Sequence, residues 1–161
     1  MQICHNKSDW DSFVAESPHY NLFCTTQFLD AWGNDYDLVV IKDNKSILLG
    51  AVIIKEDDGC PVKKPFMYQG VLLSRAVADY PSHKRLKKAL ELVEELLGWL
   101  KARYNRVSFS LCHTFEDLRG FQWYNYHFPE KGQFKIDLEY TAIMSLQSVE
   151  NIDQILMGAR T

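Results

Sequence analysis

The chain has 161 residues, 47% hydrophobic and 24% charged, with 18 Lys and Arg against 21 Asp and Glu and a formal net charge of −3. Such values fit one globular domain with a substantial core, and they exclude disordered, collagen-like and coiled-coil chains. The mild negative charge carries no general nucleic-acid footprint, so DNA is not an expected partner.

In chain order, Ser8 is expected to cap a short helix running to Glu16, with Pro18 just beyond it. Thr25 or Thr26 caps a second helix that carries Phe28, Leu29 and Trp32 and stops at Gly33. Leu38 to Ile41 and Ser46 to Lys55, joined by Asp43-Asn44-Lys45, read as a β-hairpin. Phe66 to Leu73 reads as a further strand. From His83 to Tyr104, Leu86, Leu90, Val93, Leu97, Leu100 and Tyr104 recur at helical spacing, which predicts one long helix. Val107, Phe109 and Leu111 alternate with polar residues as a half-buried strand, and the strand–helix–strand unit ending there is expected to be a right-handed parallel crossover. Thr114 is expected to cap one turn over Phe115 to Arg119, and the aromatic run Phe121 to Phe128 reads as a strand with rings on both faces. Phe134 to Leu146 alternates strictly, and Ser148 opens a last amphipathic helix. The order β-α-α-β-β-β-α-β-α-β-β-α predicts an α/β (α+β) fold: a mixed, mostly antiparallel sheet with helices on both faces.

The four cysteines, Cys4, Cys24, Cys60 and Cys112, have no C-x-x-C or zinc-finger spacing and are expected to pack as reduced, small apolar groups. The five histidines form no metal-ligand pattern, and there is no Walker loop or nucleophile elbow. Lys7, Asp9 and Asp11 exclude a signal peptide at the start of the chain, and apolar runs of about five residues are far too short for a membrane span. A soluble, cytoplasmic protein is the expectation.

Three groups of residues could carry chemistry. Lys84, Arg85, Lys87 and Lys88 crowd the first turns of the long helix, where the helix dipole favours acids, so they are a candidate anion-binding cluster. The alternative is a solvated basic face offset by Glu91, Glu94 and Glu95. In Phe121 to Phe128, Trp123, Tyr124, Tyr126 and His127 could wall a ligand site by stacking and hydroxyl bonds, or else belong to the core. In His113 to Arg119, His113 is a possible base with Glu116 or Asp117 orienting it, and Arg119 a possible carboxylate or phosphate grip.

The phrases Pro65-Phe66-Met67-Tyr68-Gln69-Gly70, Ser108-Phe109-Ser110-Leu111, Phe115-Glu116-Asp117-Leu118-Arg119, Gln122-Trp123-Tyr124-Asn125-Tyr126-His127 and Tyr140-Thr141-Ala142 resemble the first half of Fem-type proteins. These are bacterial tandem-GNAT transferases related to the peptidoglycan bridge-forming aminoacyl transferases. The resemblance implies a GNAT-like domain over residues 1–139 and the start of a second, truncated one over 140–161. It places Tyr68, Gln69, Arg119, Trp123, Tyr124, Tyr126 and His127 on the substrate side and leaves the catalytic residues unassigned. GNAT members that bind acetyl-CoA carry a glycine-bearing loop before the long helix. Here that stretch is Arg75-Ala76-Val77-Ala78-Asp79-Tyr80, with Ala78 and Tyr80 where backbone should approach a pyrophosphate.

The expected role is therefore the acceptor-side, N-terminal half of an N-acyl or aminoacyl transferase, inactive alone, with no cofactor of its own. The whole protein would use acyl-CoA or aminoacyl-tRNA as donor and a small-molecule or cell-wall-precursor acceptor. A non-catalytic GNAT-fold binding module is the alternative, and a minimal acetyl-CoA enzyme is disfavoured by the filled loop. The missing half is the expected partner, and the apolar face of Val149, Ile152, Ile155 and Leu156 favours self-association without it.

Overall fold

The structure, a computed structural model, describes residues 1–33, 35–44, 46–56, 59–62 and 66–140. In chain order the elements are β1 (Gln2–Ile3), α1 (Lys7–Glu16), α2 (Thr26–Trp32), β2 (Tyr36–Asp43), β3 (Ser46–Ile54), β4 (Gly59–Cys60), β5 (Val71–Leu73), α3 (Arg75–Ala78), α4 (Ser82–Lys101), β6 (Arg106–Val107) and α5 (Arg119–Gln122). A four-stranded sheet in the order β1-β2-β3-β5 is antiparallel throughout. A separate parallel pair joins β4 to β6.

Alternation along the strands divides the core between two faces. Leu38, Val40, Val52, Ile54 and Leu72 meet Trp10, Phe13, Val14 and Leu29 from α1 and α2. Val39, Ile41, Leu49, Ala51, Ile53, Val71 and Leu73 meet Ala89, Leu92, Val93, Leu96, Leu97 and Leu100 of α4. Helices thus cover both faces of the sheet, as the element order predicts. Val93, Leu97 and Leu100 of the expected α4 stripe are buried, Leu86 is 39% exposed, and Ala89, Leu92 and Leu96 widen the stripe on its other side.

α1 lies very close to the sheet. A Cβ on Gly50 would fall 2.5 Å from Phe13 Cε1 and 2.7 Å from Trp10 Cζ3, so this strand position has room only for glycine. The Trp10 indole N–H donates to Cys24 O at 2.8 Å, which satisfies its one polar atom in the core. The Asp11 carboxylate accepts from the backbone N–H and the hydroxyl of Thr26, tying α1 to the start of α2. α1 is capped by Asn6 rather than Ser8, since the Asn6 Oδ1 accepts from the N–H groups of Ser8 and Asp9. Thr25 caps α2, and Gly33 ends it at φ 77°.

From β5 onward the strand expectations shorten or fail. Only Val71–Leu73 and Arg106–Val107 pair as strands in the two segments expected to form the crossover. Those segments meet at an antiparallel bridge, Gln69 with Ser110, and not in a parallel ladder. Thr114 caps no helix, because the helical turn begins later, at Arg119. The aromatic run is not a strand: α5 continues into turns through Tyr126 N–H to Trp123 O (3.0 Å) and Phe128 N–H to Asn125 O (2.8 Å). Gly120 in α5 fits against Val93, where a Cβ would fall 2.5 Å from Cγ1, and Asn125 takes a left-handed φ of 53°. Residues 134–140 are also not a strand; Phe134 packs on Phe121 and Tyr124, while Leu138 and Tyr140 are exposed. The expected strand continuation, last helix and second-domain start over 141–161 lie outside the described residues.

Candidate functional site

The most distinctive feature for chemistry is the outer edge of β5. Ser74 N–H donates to Leu48 O and Val52 N–H to Gly70 O, which fixes the pairs that are hydrogen-bonded toward β3. By alternation, Gln69, Val71 and Leu73 turn their backbone N–H and C=O outward. At one end, the Gln69 and Ser110 backbones exchange two bonds of 2.8 Å. At the other end, Leu73 N–H donates to His19 Nδ1 at 3.0 Å, and the Ser17 hydroxyl donates to Leu73 O at 2.8 Å. Between these two clasps, the outward N–H and C=O of Val71 have no hydrogen-bond partner among the described residues. An edge residue whose N–H and C=O are left unpaired is able to bond an amide or carbonyl that reaches it.

His19 holds the second clasp. It is 6% exposed, and its ring lies 4.9 Å from Phe115. Burial lowers its pKa to about 4, so near neutrality the ring is uncharged and Nδ1 is free to accept. Ser17 also accepts from His19 N–H at 3.1 Å, and Thr114 Oγ1 donates to Pro18 O at 3.1 Å. Ser17, His19 and Thr114 thus draw three segments together at one sheet edge.

The residues expected on the substrate side separate into two groups. Tyr68 lies in the segment leading into β5, its hydroxyl 3.5 Å from His113 Nδ1. Gln69 is buried at 1% exposure and donates through Nε2 to Pro61 O at 2.7 Å. Arg119, Trp123, Tyr124, Tyr126 and His127 form a second surface on α5 and the turns after it. There Asp117 holds the Arg119 guanidinium through two bonds of 2.8 and 2.7 Å, and Arg119 holds the Asp117 carboxyl below its usual range. Arg119 lies 5.5 Å from the Trp123 ring centre, so it is braced rather than reaching outward. Tyr124 packs on Phe134, whereas Trp123, Tyr126 and His127 are exposed.

The basic cluster is also divided. Lys84, Lys87 and Lys88 line a wide, shallow basin with Tyr80, Pro81 and Glu91. The Glu91 carboxylate lies 3.9 Å from Lys87 and 3.7 Å from Lys88, which makes that side a compensated, solvated face. Arg85 leaves the cluster and donates to Ala78 O at 3.3 Å, closing the end of α3. The stretch Arg75 to Tyr80, expected to obstruct a pyrophosphate, is itself this helical turn. The N–H groups of Val77, Ala78, Asp79 and Tyr80 donate to Ser74 Oγ, Ser74 O, Arg75 O and Val77 O.

No family model matches this chain, and no curated protein or solved structure matches it either.

Sequence reasoning missed Ser17 and His19, although a Ser-Pro-His triplet after a helix is a compact cluster of polar and turn residues. It also missed Cys112, whose Sγ lies 3.6 Å from His113 Nδ1. Among the described residues no group of His, Cys, Asp and Glu is placed to hold a metal ion, and no helix is long and apolar enough to cross a membrane.

Proposed function

We propose that this chain is the acceptor-side half of a Fem-like, GNAT-superfamily N-acyl or aminoacyl transferase. The observation that carries the reading is the open peptide unit of Val71. Backbone groups fixed in a sheet edge can align an amide-bearing substrate without reorganising, and alignment is most of what acyl transfer to an amine requires. The sequence phrases that resemble Fem-type proteins support it, as does the order of two short helices, a hairpin, an edge strand and a long helix. On this reading Tyr68 and His113 flank the acceptor, and the donor and the remaining catalytic groups come from elsewhere in the whole protein. The α3 turn, with its N–H groups already bonded, offers no cradle for a pyrophosphate.

The test is a backbone-amide NMR titration with a lysine-containing cell-wall-precursor peptide. The resonances of Val71 and of the His113 and Tyr68 amides should shift together at millimolar ligand. Shifts confined to Trp123, Tyr126 and His127 would favour the non-catalytic binding module, which the exposure of Trp123 and Tyr126 at 53% and 65% recommends. No shift at either place would refute both readings.

A further inference from the structure

We propose that residues 17–21, between α1 and the helical turn Leu22–Cys24, form an acid-released strap: protonation of His19 lets them leave the outer edge of β5 while the rest of the sheet stays folded. The two buried side chains of the strap, Ser17 and His19, are both polar, whereas Tyr20 is exposed and Pro18 and Asn21 are half-buried. Buried apolar anchors lie on either side of it, Val14 in α1 and Cys24 in the following turn. Segments with few buried apolar contacts open first, so the strap can move while its anchors hold.

The bonds of the strap fall into two sets. Tyr20 N–H to Ser17 O, His19 N–H to Ser17 Oγ and Asn21 Nδ2 to His19 O, all at 3.1 Å, lie within it and can travel with it. Its hold on β5 is the pair made with Leu73: Ser17 Oγ donates to Leu73 O at 2.8 Å, and Leu73 N–H donates to His19 Nδ1 at 3.0 Å. Thr114 Oγ1 adds a bond to Pro18 O at 3.1 Å, from an exposed side chain. Nδ1 accepts only while it carries no proton, so protonation sets two donors against each other at the centre of the clasp.

The titratable groups on the segments around the ring are Glu16 and Tyr20 on its own stretch of chain, and Cys112, His113 and Glu116 beside Thr114 and Phe115. Glu16, Tyr20, His113 and Glu116 are exposed and Cys112 is buried; burial, not a neighbouring charge, is what keeps His19 neutral. Release would open the outward N–H and C=O of Leu73 beside those of Val71. Alternate residues open on one edge are the repeat with which an extended segment pairs. This inference stands apart from the transferase reading.

The experiment is amide hydrogen exchange with the unaltered chain, read as protection factors from pH 7.5 to 5 with and without low urea. Ser74 is the internal control, because its N–H points the other way, to Leu48 O at 2.9 Å in the β3–β5 ladder. Leu73 should be about tenfold or more less protected than Ser74, with no dependence on urea below the unfolding transition. The ring titrates near 6.5 when free and near 4 when clasped, so Leu73 protection should fall about 30-fold over this pH range. His19→Asn should remove that fall, and Ser17→Ala should lower Leu73 protection at every pH while leaving the fall in place. Equal protection and equal urea dependence at Leu73 and Ser74 would show that the strap opens only with the whole fold and would overturn the proposal. So would a Leu73 protection factor indifferent to pH, and both readings come from the unaltered chain.

Discussion

Acid should weaken this fold through His19 in particular. Its pKa falls from 6.5 to about 4 on folding because the ring is buried and uncharged. The unfolded chain therefore binds this proton more readily than the folded one. The stabilisation is complete above the unfolded value of about 6.5, declines as pH falls from there toward 4, and is gone below it. The full difference corresponds to about 3 kcal/mol. Geometry gives the same sign: a proton on Nδ1 would confront the Leu73 N–H that now donates to it at 3.0 Å. Urea unfolding of the unaltered chain and of His19→Asn, from pH 7.5 down to 3.5, isolates the effect, because the other histidines cancel in the difference. Asn can still accept from Leu73 N–H but loses the Phe115 contact, so the variant should start about 1–3 kcal/mol less stable. The difference should shift by about 3 kcal/mol in favour of the variant between pH 6.5 and 4, closing the gap or reversing it. Hydrogen exchange at the Leu73 amide should accelerate over the same interval. A gap that stays constant with pH would refute the reasoning.

Three further outcomes follow from single positions. Gly50→Ala should lower stability by about 1–3 kcal/mol, read as a drop in melting temperature, because its Cβ would meet two buried rings on α1; an unchanged melt would mean that α1 is not seated as described. Asn6→Ala should cost about 1 kcal/mol by removing the α1 cap, while Ser8→Ala should cost much less; urea midpoints compare the two. Lys84→Glu should raise stability by about 0.3–1 kcal/mol, since an acid suits the first turn of α4 and Lys84 makes no ion pair among the described residues. In the same variant, weaker binding of an anionic ligand, with the loss shrinking as salt rises, would restore the anion-site reading that Glu91 and Arg85 now argue against.

The local elements were legible because local chemistry makes them. Thr25 and Gly33 bracket α2, the hairpin turns after Asp43 through Asn44, and the apolar spacing of α4 announces a long helix. Period-two runs in β2 and β3 with no polar face already meant cover on both sides, and two helical layers supply it. What the sequence could not decide was which partner each later segment meets. Trp123 to Phe128 has strand-like composition, but α5 packs against α4 and turns the rings outward, a tertiary contact made possible by Gly120. Phe134 to Tyr140 alternates like a strand, yet no described strand lies beside it to complete a ladder. The candidate site depended on tertiary structure most of all. The open edge at Val71 is a backbone feature with no side-chain signature. It exists because Ser17 and His19, more than fifty positions away, clasp Leu73, while Ser110 clasps Gln69 and leaves one peptide unit between them. Sequence names the residues that can bond, but only the fold determines which backbone groups are left without a partner.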